Sequence, residues 1–320
     1  MGGYMLYFIV NEKSKSGNAK QIWKEIEEVI KVRNVSYQAF VSEYRGHAGK
    51  LAAEICAMDD NDICLVAVGG DGTANEVING ITDFEKVRFG VIPTGSGNDL
   101  ARGLSLSKDP KNGAIHILNA MKKSREDTWC MDLGEVNFGE KKRLFAISAG
   151  IGLDALVCKK ALKSTIKDIL NKIRLGKLTY LVLTVQSLFT MQTADAEIFF
   201  DREEGLQKKR MIFTAAMNFK AEGGGVPMAP AASACDGKLS FCEAAGIPKW
   251  RTFLCLPFLV AAKHTSIHGF SVTDAKDCTI RLSRPMVVHA DGEYCGEVTE
   301  VHFHLSLIHI SEPTRHSLIS

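Results

Sequence analysis

No CxxC pair occurs anywhere in this chain, although it holds nine cysteines. An odd count seated mostly in apolar runs excludes a disulfide frame and a zinc ribbon, and reads as the reduced thiols of a cytoplasmic protein. Net charge is almost absent. The 39 basic and 37 acidic side chains leave +2, so no global field argues for a nucleic-acid partner and any basic patch is local. The longest unbroken apolar run, Phe253–Ala262, falls well short of the roughly 20 residues of a spanning helix. The basic n-region and small-residue cleavage site of a secretory signal are missing too, since Met1-Gly2-Gly3 leads straight into Tyr4–Val10. The expectation is a soluble chain that meets any membrane from the side.

What is there is an ordinary globular composition, 46% hydrophobic and 24% charged, over a length that suits two domains. The first third alternates apolar strands with amphipathic stretches. Strands are expected at Tyr4–Val10, Ser36–Val41, Ile63–Val68 and Val87–Ile92. Ile22, Trp23, Ile26, Val29 and Ile30 recur at helical spacing, and further helices are expected at Gly49–Met58, Asp99–Leu104 and Asn112–Lys123. That rhythm predicts an α/β domain with a parallel sheet over residues 1–127.

After Asp127 the pattern changes to strand pairs. Met131–Asn137 with Arg143–Ala149, and Ala194–Phe200 with Met211–Asn218, read as hairpins. Further strands are expected at Lys238–Glu243, Gly269–Thr273, Cys278–Leu282, Met286–Ala290 and Val298–Leu305. Residues 128–293 therefore read as a β-rich sandwich or barrel with a helical insertion. Ser306–Ser320 follows neither strand alternation nor a helical period. It resembles a translated sequencing adapter and is expected to be a non-native tail outside the fold.

The chemistry concentrates at Gly69-Gly70-Asp71-Gly72-Thr73-Ala74-Asn75-Glu76, which follows a buried strand and opens a helix. Closely spaced glycines allow φ > 0 and close backbone approach, and a helix N-terminus behind them presents N–H groups to phosphate oxygens. The run is neither a P-loop, since no GxxxxGK[ST] occurs, nor a dinucleotide fingerprint, since Asn75 stands where the last glycine belongs. A plain strand-to-helix turn is the alternative. Two more such loops, Asn11–Gly17 and Pro93–Asp99, follow the first and fourth strands, so all three fall at the edge where α/β sheets bind ligands.

GGDGTANEVINGI followed by GVIPTGSGNDLARGL closely resembles the catalytic domain of diacylglycerol kinases, in the bacterial soluble lipid kinase group related to sphingosine and ceramide kinases. The resemblance continues through Phe145–Asp154, Gly223–Pro230 and Asp291-Gly292-Glu293. It implies an NAD-kinase-like α/β domain and a β-rich domain with ATP in the cleft between them, and a last strand, 294–305, returning to the first domain. It implies transfer of the γ-phosphoryl group of ATP to a lipid hydroxyl, diacylglycerol first among the acceptors. NAD-kinase-like or other small-molecule kinases and a non-catalytic lipid-binding relative are the alternatives.

By position, the resemblance implies nucleotide contacts from Asn11, Ser16, Gly17, Ser42, Gly69, Gly70, Asp71, Gly72, Thr73, Asn75 and Ser96. Asp71 would help organise Mg2+, and Glu293 would accept the proton with Asp291 beside it. A hairpin turn is the plain reading of Asp291-Gly292-Glu293. A second, structural magnesium would be held by Asp236 with carbonyls of Ser233 and Lys238. Cys235 stands there in place of a second acid, and a thiol is a poor magnesium ligand.

Lys159–Lys177 carries seven basic residues against Asp168, with Leu162, Ile166, Ile169, Leu170 and Ile173 at helical spacing. Such a helix suits peripheral contact with an anionic membrane, or simple packing on the β-rich domain. The pairs His264/His268 and His302/His304 lack a third partner and read as structural. Nothing in the pattern opposes a homodimer.

Overall fold

A computed structural model describes residues 5–14, 19–60, 62–95, 97–122, 129–163, 176–201 and 204–312. It divides into two compact units, one of residues 1–132 with 307–320 and one of residues 133–306. Among the described residues no helix is long and apolar enough to cross a membrane.

The first unit runs β1 (Met5–Val10), α1 (Ala19–Val32), β2 (Tyr37–Val41), α2 (His47–Cys56), β3 (Ile63–Gly69), α3 (Asp71–Gly80), β4 (Val87–Pro93), α4 (Asp99–Gly103) and α5 (Pro110–Ala120). The strands pair in parallel in the order β4-β3-β1-β2. Every residue of β3 and β4 is buried, as their unbroken apolar runs require of strands covered on both faces. On one face Trp23, Ile26 and Ile30 of α1 join Ala114, Ile117 and Leu118 of α5 against Leu6, Phe8, Val66 and Val68. Elsewhere α2 and α3 meet backbone to backbone, because a Cβ on Gly80 would lie 2.1 Å from the Gly49 carbonyl oxygen.

Strand addition reverses at β1, which takes β2 on one side and β3 on the other. Open α/β sheets bind ligands at the carboxyl edge of such a switch point. Here the strand ends at that edge are laced together by backbone bonds. Ser42 N–H donates to Val10 O at 2.8 Å, Asn11 N–H to Val68 O at 2.9 Å, and Thr94 N–H to Gly69 O at 2.8 Å.

The second unit contains β5 (Trp129–Phe138), β6 (Lys141–Phe145), β7 (Ser148–Gly152), α6 (Leu153–Lys163), α7 (Gly176–Thr190), β8 (Ala194–Phe200), β9 (Leu206–Met211), β10 (Phe213–Met217), β11 (Leu239–Ala244), α8 (Lys249–Val260), β12 (Phe270–Ala275), β13 (Asp277–Ala290) and most of β14 (Glu293–Glu312). Its strands follow the order β12-β11-β10-β7-β13-β14, with β8 also on β13 and β9 on β8. Phe241, Phe303, Ile198 and Val288 are fully buried in its core.

Three expectations change here. Ala194–Phe200 pairs with polar β9, which ends at Met211, and the rest of the expected partner yields β10 (Phe213–Met217), which lies between β7 and β11. The apolar run Met211–Met217 hid a break at Ile212, whose N–H leaves for Ala244 O. Cys278–Leu282 and Met286–Ala290 form one strand with a register shift between Arg281 and Met286, where Pro285 has no N–H to give the ladder. Residues 294–305 pair with β13 in the second unit and bury Val301 and Phe303 there. It is 307–312 that belongs to the first unit, with Ser311 registered against Arg88 of β4.

Candidate functional site

In the first unit α3 starts as soon as β3 ends. Gly70 is its N-cap, extended at φ −94° and ψ −176°, and has no side chain to cap the helix that starts behind the strand end. None of Gly69, Gly70 and Gly72 sits at positive φ, contrary to the expectation from the sequence. Two of them are glycine because of contact. A Cβ on Gly69 would lie 2.5 Å from the Thr73 Cβ. At the neighbouring loop, a Cβ on Gly95 would lie 2.6 Å from the Gly70 Cα, so the two loops touch through their backbones.

Side chains then tie the loops together. The Asp71 carboxylate accepts the N–H of Asp99 at 3.0 Å and of Leu100 at 3.1 Å, which caps α4. The Asp99 side chain itself turns to Arg102. Asn98, left-handed at φ 53°, accepts from Gly95 N–H at 3.0 Å and returns its amide to the Gly95 carbonyl at 2.9 Å. Asn11 donates its amide to Thr73 Oγ1 at 3.0 Å, and Ser14 and Thr94 share a hydroxyl bond of 2.6 Å. Lys13 donates to the Glu43 carbonyl at 2.6 Å. Ser42, Thr73 and Asn75 are buried, and the backbone carbonyl of Asn75 accepts the Asn79 side-chain amide at 2.9 Å. Ser16, Gly17 and Ser96 lie outside the described residues.

In the second unit β13 and β14 are joined by Asp291 and Gly292, both at positive φ (48° and 80°), the pattern of a type I′ turn. The Asp291 carboxylate accepts three backbone N–H groups, from Ala146 at 2.9 Å, Ile147 at 2.8 Å and Ser148 at 3.1 Å. Its own N–H donates to Ser148 O at 2.8 Å. Asp291 thus locks the hairpin tip to the segment that enters β7. Glu293 follows as the first residue of β14, half-buried. Burial pushes the nearby Cys295 thiol up to about 11, with Arg143 opposing and Glu293 and Asp291 reinforcing, so it stays protonated.

Behind the turn lies a cluster that the sequence reading did not name. Ligand atoms of Asp154, Glu222 and His289 lie within 4.8 Å of one another. His289 Nδ1 accepts the Gly292 N–H at 3.2 Å, which leaves Nε2 as the protonated nitrogen donating to Asp154 Oδ2 at 3.1 Å. A ring protonated there offers no lone pair to a metal, so the pattern fits a hairpin support rather than a metal centre. A Cβ on Gly150 would lie 1.8 Å from Asp154 Oδ2, so glycine makes the room. The signal in the sequence was His289 standing two residues before Asp291, on the same strand.

The expected metal turn is an Asx turn, in which Asp236 Oδ1 accepts the Lys238 N–H at 3.1 Å and Gly237 sits at φ 71°. One exposed carboxylate, with its other oxygen available, suits a hydrated magnesium more than a dehydrated cage. Cys235 beside it meets the Ser233 hydroxyl at 3.6 Å. Three of the four histidines read as structural have partners. His264 is buried with Nε2 on the Met228 carbonyl at 2.9 Å, His302 meets Asp277 at 2.6 Å, and His304 lies 3.6 Å from Glu135. His268 does not join them.

Comparison with known proteins closes the question of family. Residues 5–131 match the family model described as the diacylglycerol kinase catalytic domain, and residues 148–306 match a YegS C-terminal NAD kinase beta sandwich-like domain. A Bacillus subtilis (strain 168) protein named "Putative lipid kinase YtlR" is 30% identical over 295 residues, covering 91% of this chain and 93% of its own. The chain belongs to the diacylglycerol kinase family. A Bacillus subtilis (strain 168) protein named diacylglycerol kinase is 28% identical over 251 residues, covering 77% of this chain and 75% of its own. A crystal structure of a Bacillus anthracis str. Sterne diacylglycerol kinase matches all of both chains with a TM-score of 0.72 at 18% identity, which speaks for the fold. The α/β and β-rich, NAD-kinase-like architecture expected from the sequence is therefore that of the diacylglycerol kinase family.

Proposed function

We propose that this chain transfers the γ-phosphoryl group of ATP to the hydroxyl of a membrane lipid, diacylglycerol, giving phosphatidic acid. The observation that carries this reading is the carboxyl edge of the parallel sheet. There the loops after β1, β3 and β4 are laced together, and Gly70 and Gly95 approach so closely that only backbone fits. Amide and hydroxyl groups on a helix N-terminus suit a polyphosphate. In this reading Asn11, Ser42 and residues 69–75 hold the nucleotide, joined by Ser16, Gly17 and Ser96.

Phosphoryl transfer asks a protein to position two oxygens and to neutralise charge; magnesium, when bound, supplies much of the neutralisation. The Asp71 carboxylate, which accepts the N–H groups that open α4, is the side chain at this edge that would help organise a magnesium ion. Asp236, with the carbonyls of Ser233 and Lys238, fits a second magnesium. Glu293 takes the proton of the lipid hydroxyl as general base, and Asp291 fixes the turn from which Glu293 projects. The chain works as a peripheral membrane protein of the cytoplasm. Lys159 and Lys160, in the basic stretch expected to meet the membrane, are already bonded to Glu297 at 2.5 Å and Thr190 at 3.1 Å, and residues 164–175 lie outside the described residues.

The test is incubation with radiolabelled ATP, magnesium, NAD and a panel of lipids, read by thin-layer chromatography. Label in phosphatidic acid supports the reading. Label only in a phosphorylated ceramide, polyprenol or phosphatidylglycerol would move the acceptor, and label only in NAD would overturn it.

A further inference from the structure

Among the described residues, the helix α8 leaves one apolar face largely exposed. It buries Thr252, Cys255 and Leu259, which lie on one side at spacings of three and four. Its other side carries Trp250, Phe253, Leu254 and Phe258, at i, i+3, i+4 and i+8, and these are 60, 40, 56 and 50% exposed. Val260 is 66% exposed near its end. A surface helix ordinarily turns charged residues outward there, and a contiguous exposed apolar face marks an interaction site. Beside it, α7 adds exposed Leu181, Val182 and Phe189, with the Phe189 ring 5.9 Å from that of Phe253. Lys249 fastens the two helices by donating to the carbonyls of Phe189 and Met191 at the end of α7.

We propose that this α7–α8 face is the surface by which the protein docks onto an anionic lipid bilayer, with α8 lying in the interface plane. Charge selects the occupant. Residues 244–273 contain no Asp or Glu, and neither do residues 169–194. Arg251 and Lys263 are exposed at either end of the helix, so among the described residues of α8 and its flanks the charges beside the apolar stripe are cationic. Apolar and aromatic residues flanked by Arg and Lys are what an interfacial helix presents to acidic headgroups. A second copy of the chain would bring this cationic frame against itself with no acid on either helix to answer it. The inference deepens the lipid-kinase reading and rests on it for the membrane as the place where the acceptor is found.

The experiment uses the full chain with vesicles of phosphatidylcholine, with and without phosphatidylglycerol. Trp250→Ser, Leu254→Ser and Phe258→Ser together should lower cosedimentation with the anionic vesicles at least tenfold, each removed apolar contact being worth about that factor. Melting temperature and turnover on a short-chain lipid in detergent should stay near wild type. Arg251→Glu should weaken binding to the phosphatidylglycerol vesicles and leave the phosphatidylcholine arm unchanged. Brominated lipid should quench the part of the emission that is lost in Trp250→Phe. Unchanged cosedimentation of the triple variant overturns the proposal. So does sedimentation velocity showing a wild-type dimer that the triple variant abolishes. A wild type that docks through this face yet phosphorylates no dispersed lipid supports the docking surface and sinks the kinase reading instead.

Discussion

The Asp71 carboxylate accepts the backbone N–H of Leu100 at 3.1 Å, and so holds the helix that follows β4 against the turn that follows β3. With its bond to Asp99 N–H, the side chain makes one unit of two loops that the sequence separates by more than twenty residues. Asp71→Ala removes both bonds and leaves the α4 N-terminus without its cap. Bonds to charged acceptors contribute about 1.5–3 kcal/mol each, so we expect a loss of stability in that range or above, alongside loss of kinase activity. Chemical denaturation and a steady-state assay measure the two. A variant with wild-type stability would show that the bridge is idle.

The glycine contacts give a second, purely steric prediction. A Cβ on Gly95 would lie 2.6 Å from the Gly70 Cα, a distance that no rotamer can relieve because both partners are backbone. Gly95→Ala should therefore raise KM for ATP at least tenfold by prising the loops apart, while Gly139→Ala, whose Cβ meets nothing within 4 Å, leaves KM alone. Equal KM values in the two variants would remove this contact from the nucleotide site.

Much of this arrangement was legible in the sequence, and the reasons are physical. Strands buried on both faces must be continuous apolar runs, so β1, β3 and β4 stood out, and the loops after them fell at one edge because parallel strands share direction. The second unit was less legible. β9, with the sequence LQKKRM, is largely exposed and carries no apolar signal, so its partner β8 was assigned to the wrong neighbour. The His289–Asp154 pair was invisible because 135 residues separate its members, and spacing reports only what is local.

Asp236 gives a prediction with a readout independent of turnover. If its turn holds magnesium, millimolar Mg2+ should raise the melting temperature of the wild type, since a ligand bound only by the native state stabilises it by mass action. Asp236→Ala should lose most of that rise, whereas Asp236→Asn retains a neutral oxygen and loses part. Identical Mg2+ responses in all three proteins would remove the ion from this turn.

Tyr7 and Tyr37 make the first unit sensitive to alkali. Burial first, and then the Asp60 and Glu27 carboxylates they donate to, hold both phenols up to about 12 against an ordinary value of 10.0. A folded pKa above the unfolded one means that the neutral phenols stabilise the fold below pH 10, and that this contribution is lost as pH rises toward 12. Tyr7→Phe with Tyr37→Phe should flatten the fall of melting temperature across pH 10–12. A double variant that falls as steeply as wild type would assign the alkaline loss to other groups.

Asp291 and Glu293 are two residues apart, and the structure gives them different work. The Asp291 carboxylate is occupied by the N–H groups of Ala146, Ile147 and Ser148, whereas Glu293 opens β14 beyond the turn. Glu293→Gln keeps shape and removes basicity, so the loss should fall on kcat, by about 10²- to 10⁴-fold, with melting temperature and KM for ATP unchanged. Asp291→Asn instead sets an amide N–H against backbone N–H donors. It should lower stability by about 1.5–3 kcal/mol, the range for bonds to a charged group, and reduce kcat only through the displaced turn. Denaturation separates the two, since the Asp291 variant should lose stability and the Glu293 variant should not. A Glu293→Gln enzyme with wild-type kcat would take that residue out of the chemistry, and a fully stable Asp291→Asn would make its three hydrogen bonds dispensable.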